Sequence, residues 1–241
     1  MEDTIIWRYF QKKSFPIFPR PKPHFGSVGS ILGAYFLFHG DDVLTLISSL
    51  IGVTSLILIA KGNPIGQLLT IIFSVFYGII SFSFAYYGEM LTYLCMTAPM
   101  ALLALITWLK HPFDGNRAEV EVAHLTKKDI FQMLILTAAV TGIFYFVLKA
   151  LGTANLAPST ISVTTSFLAA YLTYKRSPYY ALAYAANDIV LIVLWVLASL
   201  ENRSYISVVV CFGAFFFNDL YGFVNWQRLR NRQSALKAEE L

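Results

Sequence analysis

Two Asn-Asp pairs are embedded in apolar sequence: Asn187-Asp188 within Tyr180–Leu200, and Asn218-Asp219 within 205–226. Ionisable and amide groups at membrane depth are costly, and they usually face a bundle interior or a watery cavity. At 3.6 residues per turn, Tyr180, Tyr184, Asn187, Asp188, Leu191 and Trp195 share one broad helical face. Its aromatic rings can stack on a planar heterocycle. Its amide can both donate to and accept from sugar hydroxyls, and its carboxylate can accept from hydroxyls or pair with a cation. The competing reading is interhelical packing, with the Asn and Asp satisfied by Ser and Thr of neighbouring helices. On the last apolar run, Asn218, Tyr221 and Asn225 form one stripe, and Asp219, Gly222 and Trp226 the next. Trp226, beside Arg228, reads as an interfacial anchor and Gly222 as a close-approach point.

Other polar candidates are sparser. Thr92, Tyr93 and Thr97 lead into Pro99, which removes a helical hydrogen bond and can kink the helix or free a carbonyl for a ligand. Glu89 reads as a solvated loop carboxylate near the outer interface, with a gate residue as the alternative. The segment 159–166 carries Ser159, Thr160, Ser162, Thr164, Thr165 and Ser166, which suits tight packing or the wall of a wet cavity equally.

Several chemistries lack their residues. There is no phosphate-cradling glycine loop, no His-Glu-x-x-His and no Gly-x-Ser-x-Gly. His24, His39, His111 and His124 form no metal pattern. Lys149 and Lys175 stand at span ends, unsuited to a buried Schiff base. The expectation is a non-enzyme with neither cofactor nor metal.

The elements that must position these groups follow from composition. The chain has 241 residues, 57% hydrophobic and 13% charged, with mean hydropathy +0.61. That is too little polar surface for a soluble domain. Seven runs approach the roughly 20 apolar residues a bilayer-spanning helix needs: Val43–Ala60, 65–86, 90–109, 130–149, Leu156–Tyr174, Tyr180–Leu200 and 205–225. They are too long for barrel strands. The start, Met-Glu-Asp-Thr, lacks a cleavable leader's basic region and apolar run. Thr126-Lys-Lys-Asp129 predicts a capped start for the fourth span. Cys95 and Cys211 fall inside spans and read as buried free thiols.

Charge sets orientation. The loops on one side hold Lys61, Lys110, Arg117, Lys127, Lys128, Lys175, Arg176, Arg228, Arg230, Arg232 and Lys237; the other side of the seven spans holds only Lys149 and Arg203. The positive-inside rule places the basic side, and the C-terminus, in the cytoplasm. Arg8, Lys12, Lys13, Arg20 and Lys22 favour a cytoplasmic N-terminus as well, which requires the short apolar segment 25–39 to cross; the alternative is a segment that re-enters or lies on the surface, with seven spans and the N-terminus outside. The net charge of +4 is thus topology signal and needs no nucleic-acid partner. The basic tail can also meet anionic lipid head groups.

A faint repeat runs through the chain. Tyr87 to Trp108 and Tyr205 to Trp226 have the same spacing. Gly52-Val-Thr-Ser55 echoes Ser162-Val-Thr-Thr165, and each is followed by a basic residue and a proline, Lys61 with Pro64 and Lys175 with Pro178. The expected organisation is a cytoplasmic arm (1–24), a short apolar segment (25–42), a three-helix repeat (43–109), a linker and connector helix (110–155), a second three-helix repeat (156–227) and a basic tail (228–241). Three is odd, so the connector returns the chain and the halves run parallel. Such transporters hold substrate between halves near mid-bilayer.

These features together resemble the PnuC family of bacterial vitamin transporters over about 43–230. The resemblance rests on the three-plus-one-plus-three layout, on Tyr87-Gly-Glu89 through Pro99 to Trp108, on Asn187, and on Asp219-Leu-Tyr-Gly-Phe-Val-Asn-Trp226. That last stretch is similar to the family's Asn-x-Tyr-Gly-x-x-x-Trp, with Asp219 in place of Asn. The resemblance implies an all-α, SWEET-like bundle, often a homotrimer, in the bacterial inner membrane. It implies facilitated diffusion of nicotinamide riboside, trapped inside by a cytoplasmic kinase. The family's Trp-x-x-Trp, followed four residues on by Asn, falls here on Tyr180, Ala183 and Asn187. Losing a stacking wall could admit a deoxynucleoside, thiamine or riboflavin instead. On this reading Tyr180, Tyr184 and Trp195 flank the ring, Asn187, Asp188, Asn218 and Asp219 bind polar groups, and Tyr93, Thr97 and Tyr221 complete the pocket.

Overall fold

The computed structural model describes residues 28, 29, 33 and, with short breaks at 84–86, 154, 202 and 204–205, residues 43–239. The arm 1–24, nearly all of the expected crossing 25–39, and Tyr205 lie outside the described residues. The helices are α1 (Val43–Ala60), α2 (Ile65–Ser83), α3 (Tyr87–Leu91), α4 (Ala98–Lys110), α5 (Lys127–Ala150), α6 (Leu156–Tyr174), α7 (Tyr180–Glu201) and α8 (Ile206–Glu239). A π-helical turn, Thr92–Thr97, joins α3 to α4 into one rod, so seven rods correspond to the seven apolar runs. Five of them are long and apolar enough to cross a membrane: α2, the Gly88–Lys110 rod, α5, α7 and α8. The chain is a multi-pass membrane protein. Helix α6 is less apolar because of its Ser and Thr residues, three of which, Ser162, Thr165 and Ser166, bond Asn187 of α7.

Packing divides the rods. Helix α1 packs on α2 and α8, α6 packs on α5, α7 and the rod, and α7 pairs with α8. Helix α5 packs chiefly on α6 and leaves Phe131, Ile143 and Phe146 exposed. Its start has the predicted capping box, in which the Asp129 N–H donates to Thr126 Oγ1 and the Thr126 N–H to Asp129 Oδ2. The Lys175 ammonium lies 2.7 Å from Asp129, pinning the end of α6 to the start of α5. That hydrogen bond to Asp129 raises the Lys175 pKa.

The π turn answers the Pro99 expectation. A proline cannot donate, and its ring crowds the carbonyl four residues back. The helix widens just before it, and the Ala98 N–H reaches Tyr93 O instead. Thr97 Oγ1 donates to Thr92 O, 3.3 Å away, across the widened turn.

The sequence reading needs correction in three places. The polar linker after α4 contains an antiparallel hairpin, β1 (Pro112–Phe113) and β2 (Asn116–Val120). It is turned by Asp114 and Gly115, both at positive φ, the Asp-Gly signature of a two-residue turn. The expected tail is not a separate segment but the last turns of α8. There Leu229 and Gln233 are buried and Arg232 and Lys237 pair with Glu119 and Glu121, so the tail docks on the linker. Cys95 is exposed on the outside of the bundle and Cys211 is half-buried, both as free thiols.

Helices α1 and α2 meet closely at the hairpin end. A Cβ on Gly66 would sit 2.6 Å from Ile59 Cγ1 and 2.7 Å from the Ile59 backbone nitrogen. Backbone cannot yield as a side chain can, so Gly66→Ala is expected to cost about 3 kcal/mol, the upper end of overpacking penalties. The check is the melting midpoint of purified Gly66→Ala in detergent; an unchanged midpoint would mean that the two helices separate easily.

Candidate functional site

Equivalent positions of the faint repeat make equivalent bonds. The indole Nε1 of Trp108 donates to Thr173 O over 2.9 Å, and that of Trp226 donates to Ile59 O over 2.8 Å. Each acceptor lies two residues before the basic residue that ends its helix, Lys175 or Lys61. The two indoles touch, with centroids 5.3 Å apart, and Tyr180 packs edge-on to Trp226 at 5.1 Å. Asn225 Nδ2 adds a 2.6 Å bond to Ala60 O. Trp226 is fully buried, so it is a core seal and not the interfacial anchor its neighbour Arg228 suggested. Gly222 is a close-approach point as expected, since a Cβ there would lie 3.2 Å from the Tyr180 hydroxyl.

Above this aromatic layer lies the polar centre. The predicted face of α7 is the buried one: Tyr180, Asn187, Asp188, Leu191 and Trp195 are each at most 7% exposed, whereas Leu182, Ile189 and Val193 face outward. Asn187 Oδ1 accepts from three hydroxyls of α6: Ser162 Oγ at 3.1 Å, Thr165 Oγ1 at 2.9 Å and Ser166 Oγ at 3.0 Å. Three donors converging on one oxygen fix the amide and leave its Nδ2 as the group it can offer to a ligand. The Ser/Thr-rich segment is therefore the support of the polar centre.

Asp188 and Asp219 meet across the α7–α8 contact, close enough for one carboxyl to hydrogen-bond the other. Asp188 Oδ2 is buried without a hydrogen-bond partner. Among the described residues no basic side chain forms an ion pair with either carboxyl. Tyr184 stands near both, and Tyr93 near Asp188. Asn187, Asp188, Asp219, Tyr184 and Tyr93 thus form one cluster, floored by Tyr180.

Four predicted residues lie apart from it. Asn218 is buried, but its Nδ2 turns back to Ala214 O at 2.9 Å. Trp195 belongs to an apolar core with Val53, Phe73, Phe212 and Phe215. Tyr221 is half-buried on α8, and Thr97 serves its own π turn. The sequence reading also misplaced Glu89. It is not a solvated loop carboxylate, because its Oε2 accepts from the Tyr77 hydroxyl at 2.7 Å, and Tyr77 packs tilted against Tyr93 with centroids 4.4 Å apart. The helix start at Tyr87, obscured by the aromatic run before it, was the signal that would have placed it inside.

A family model described as nicotinamide mononucleotide transporter matches residues 42–228. A curated relative, the nicotinamide riboside transporter PnuC of Neisseria mucosa, is 26% identical over 209 residues, 85% of this chain and 80% of its own. The protein of the same name from Haemophilus influenzae is 24% identical over 193 residues, 80% of this chain and 82% of its own. A solved structure, the crystal structure of the vitamin B3 transporter PnuC, shares the fold with a TM-score of 0.76, covering 93% of this chain and 98% of its own at 22% identity. With the polar centre and Trp226 inside the matched region, the chain belongs to the nicotinamide mononucleotide transporter family, the PnuC transporters, and not to a family of enzymes.

Proposed function

We propose that this protein carries nicotinamide riboside across the bacterial inner membrane by facilitated diffusion, with a cytoplasmic kinase trapping the riboside as its phosphate. The observation that carries the reading is the pinned Asn187 amide beside Asp188, whose buried Oδ2 has no hydrogen-bond partner, with Asp219 against it. The amide suits a ribose hydroxyl or a carboxamide. The carboxyls suit a cationic ring such as the pyridinium of nicotinamide riboside. Tyr184 and Tyr93 flank the ring; Tyr180 and Trp195 shape the pocket from below and above, with Asn218, Tyr221 and Thr97 as outer contributors.

The reciprocal indole bonds support parallel three-helix halves (43–109 and 156–227) joined by a linker and connector (110–155), a SWEET-like arrangement that rocks to alternate access. The basic residues gather at the hairpin end, which we assign to the cytoplasm together with the C-terminus and the arm 1–24; 25–42 then crosses as an extra helix. The exposed face of α5 suits lipid or a homotrimer contact.

A second substrate reading has its own support. Tyr180 is buried against Trp226 and Ala183 offers no wall, so the ring site differs from the family's paired Trp. Thiamine, also a cation, can pair with the carboxyls; a deoxynucleoside or riboflavin, both neutral, would meet them only through hydroxyl or N–H donors.

Thermal shifts of the detergent-purified chain with nicotinamide riboside, thiamine, a deoxynucleoside and riboflavin test this, since a ligand stabilises the state it binds. We expect nicotinamide riboside to raise the midpoint, and Asp188→Asn to weaken it about tenfold or more, as losing a charged partner does. An Asp188→Asn protein that binds as before would sink the carboxyl role, and a response to riboflavin alone would reassign the substrate. Uptake into liposomes that needs an ion gradient would refute facilitated diffusion.

A further inference from the structure

A half-open cavity at the hairpin end, about 280 Å³, lies away from the polar centre. Arg230 on its wall is eleven residues past Asp219, about 16 Å along α8. Its charged lining is Glu121, His124, Arg176, Arg230 and Lys237. The single carboxylate is already engaged: Glu121 accepts from Lys237 and forms a long ion pair, 3.9 Å, with Arg176 Nη1. That bond from Lys237 lowers the Glu121 pKa. Arg230 has no carboxylate within ion-pair reach among the described residues. Arg176 Nη1 is buried without a hydrogen-bond partner, and burial lowers its pKa more than Glu121 restores it.

The backbone at Arg176 is a second, independent observation. Helices α1 and α6 end in the same way. Gly62 N–H donates to Ile59 O and Asn63 N–H to Leu58 O; Arg176 N–H donates to Thr173 O and Ser177 N–H to Leu172 O. This is the Schellman ending, whose left-handed position favours glycine. Gly62 takes it with φ +72, and Arg176 takes it with φ +56. A bulky side chain carries strain there that glycine does not. Strain of this kind persists where a side chain has a task. The carbonyls of these two residues accept from Val120 and Ala123 of the linker, so arginine is not needed to hold the linker in place.

We propose that this cavity is an anion site for a phosphate-bearing ligand, gripped by the guanidiniums of Arg176 and Arg230. Guanidinium forks match phosphate oxygens bidentately. A cavity of this size, at the small end of ligand sites, suits a phosphate with its attached sugar or glycerol. Occupation ties the loop before α7 to the distal turns of α8, bridging the two helices that carry Asp188 and Asp219. The phosphate comes either from a soluble phosphomonoester or from a lipid head group. The proposal does not depend on which vitamin the mid-bundle site takes.

The test uses the full chain in phosphatidylcholine nanodiscs and reads the melting midpoint. One arm titrates ribose 5-phosphate, against ribose and against sodium chloride at equal ionic strength. The other replaces part of the lipid with phosphatidylglycerol. A rise with ribose 5-phosphate identifies a soluble phosphate ester; a rise confined to phosphatidylglycerol identifies a head group. Either supports the site if Arg176→Gly and Arg230→Gln each weaken the response about tenfold or more. Arg176→Gly relieves the left-handed strain, so it separates loss of binding from loss of fold, and each variant's midpoint without added phosphate serves as its own reference. No rise from either source, or a rise that survives both substitutions, overturns the proposal.

Discussion

Replacing Asn187 with alanine is expected to abolish ligand-induced stabilisation and reduce uptake about a hundredfold or more. The substitution removes the amide that faces the polar centre and the acceptor shared by three hydroxyls of α6, stranding Ser162 and Ser166 while Thr165 can turn to Ile161 O or Ser162 O. Buried donors left unmade cost about 1–3 kcal/mol each, and a site built to hydrogen-bond a polar group discriminates steeply when that bond is lost. Ser162→Ala removes one donor of the three and is expected to cost far less, about two- to fivefold, because Thr165 and Ser166 still hold the amide. Uptake of labelled nicotinamide riboside into liposomes, beside the melting midpoint of each variant, separates the two effects. Asn187→Ala with normal uptake would reduce the cluster to interhelical packing.

Trp226→Ala is expected to be the most destabilising single substitution at the hairpin end, at about 3–5 kcal/mol for the emptied indole volume. The Ile59 carbonyl also loses its donor, and Trp108 and Tyr180 lose a contacting ring. Trp108→Ala removes the matching bond to Thr173 O and is expected to cost a similar amount. Because the rings touch, the double substitution should cost less than the two separate effects combined. Trp226→Phe keeps a ring and loses the bond, so it should recover part of the loss. Melting midpoints of the four proteins in one detergent provide the check, and strict additivity would show that the two seals act independently.

Local chemistry was legible in the chain itself. Seven apolar runs predict seven helical rods because a bilayer-length helix must satisfy its own backbone and expose apolar side chains. The buried face of α7 follows from 3.6-residue periodicity, since Tyr180, Asn187, Asp188 and Leu191 cannot avoid sharing a side. The cap at Thr126 and the disturbance at Pro99 are likewise set within four or five residues of their cause. The paired spacings ending in Trp108 and Trp226 marked positions that make matching bonds.

What the chain could not declare is partnership across distance. Trp226 carries the amphipathic ring of an interfacial anchor; only the approach of Ile59, 167 residues earlier, makes it a buried donor. Glu89 became interior because Tyr77 of α2 meets it, and the basic tail became a docked helix because Glu119 and Glu121 of the linker reach it. Two of the three polar stripes met and one did not: the rotation of α8 brings Asp219 to Asp188 and turns Asn218 back on its own backbone. Helical periodicity fixes which residues share a face but leaves the rotation of each helix free, and packing against neighbours settles that rotation.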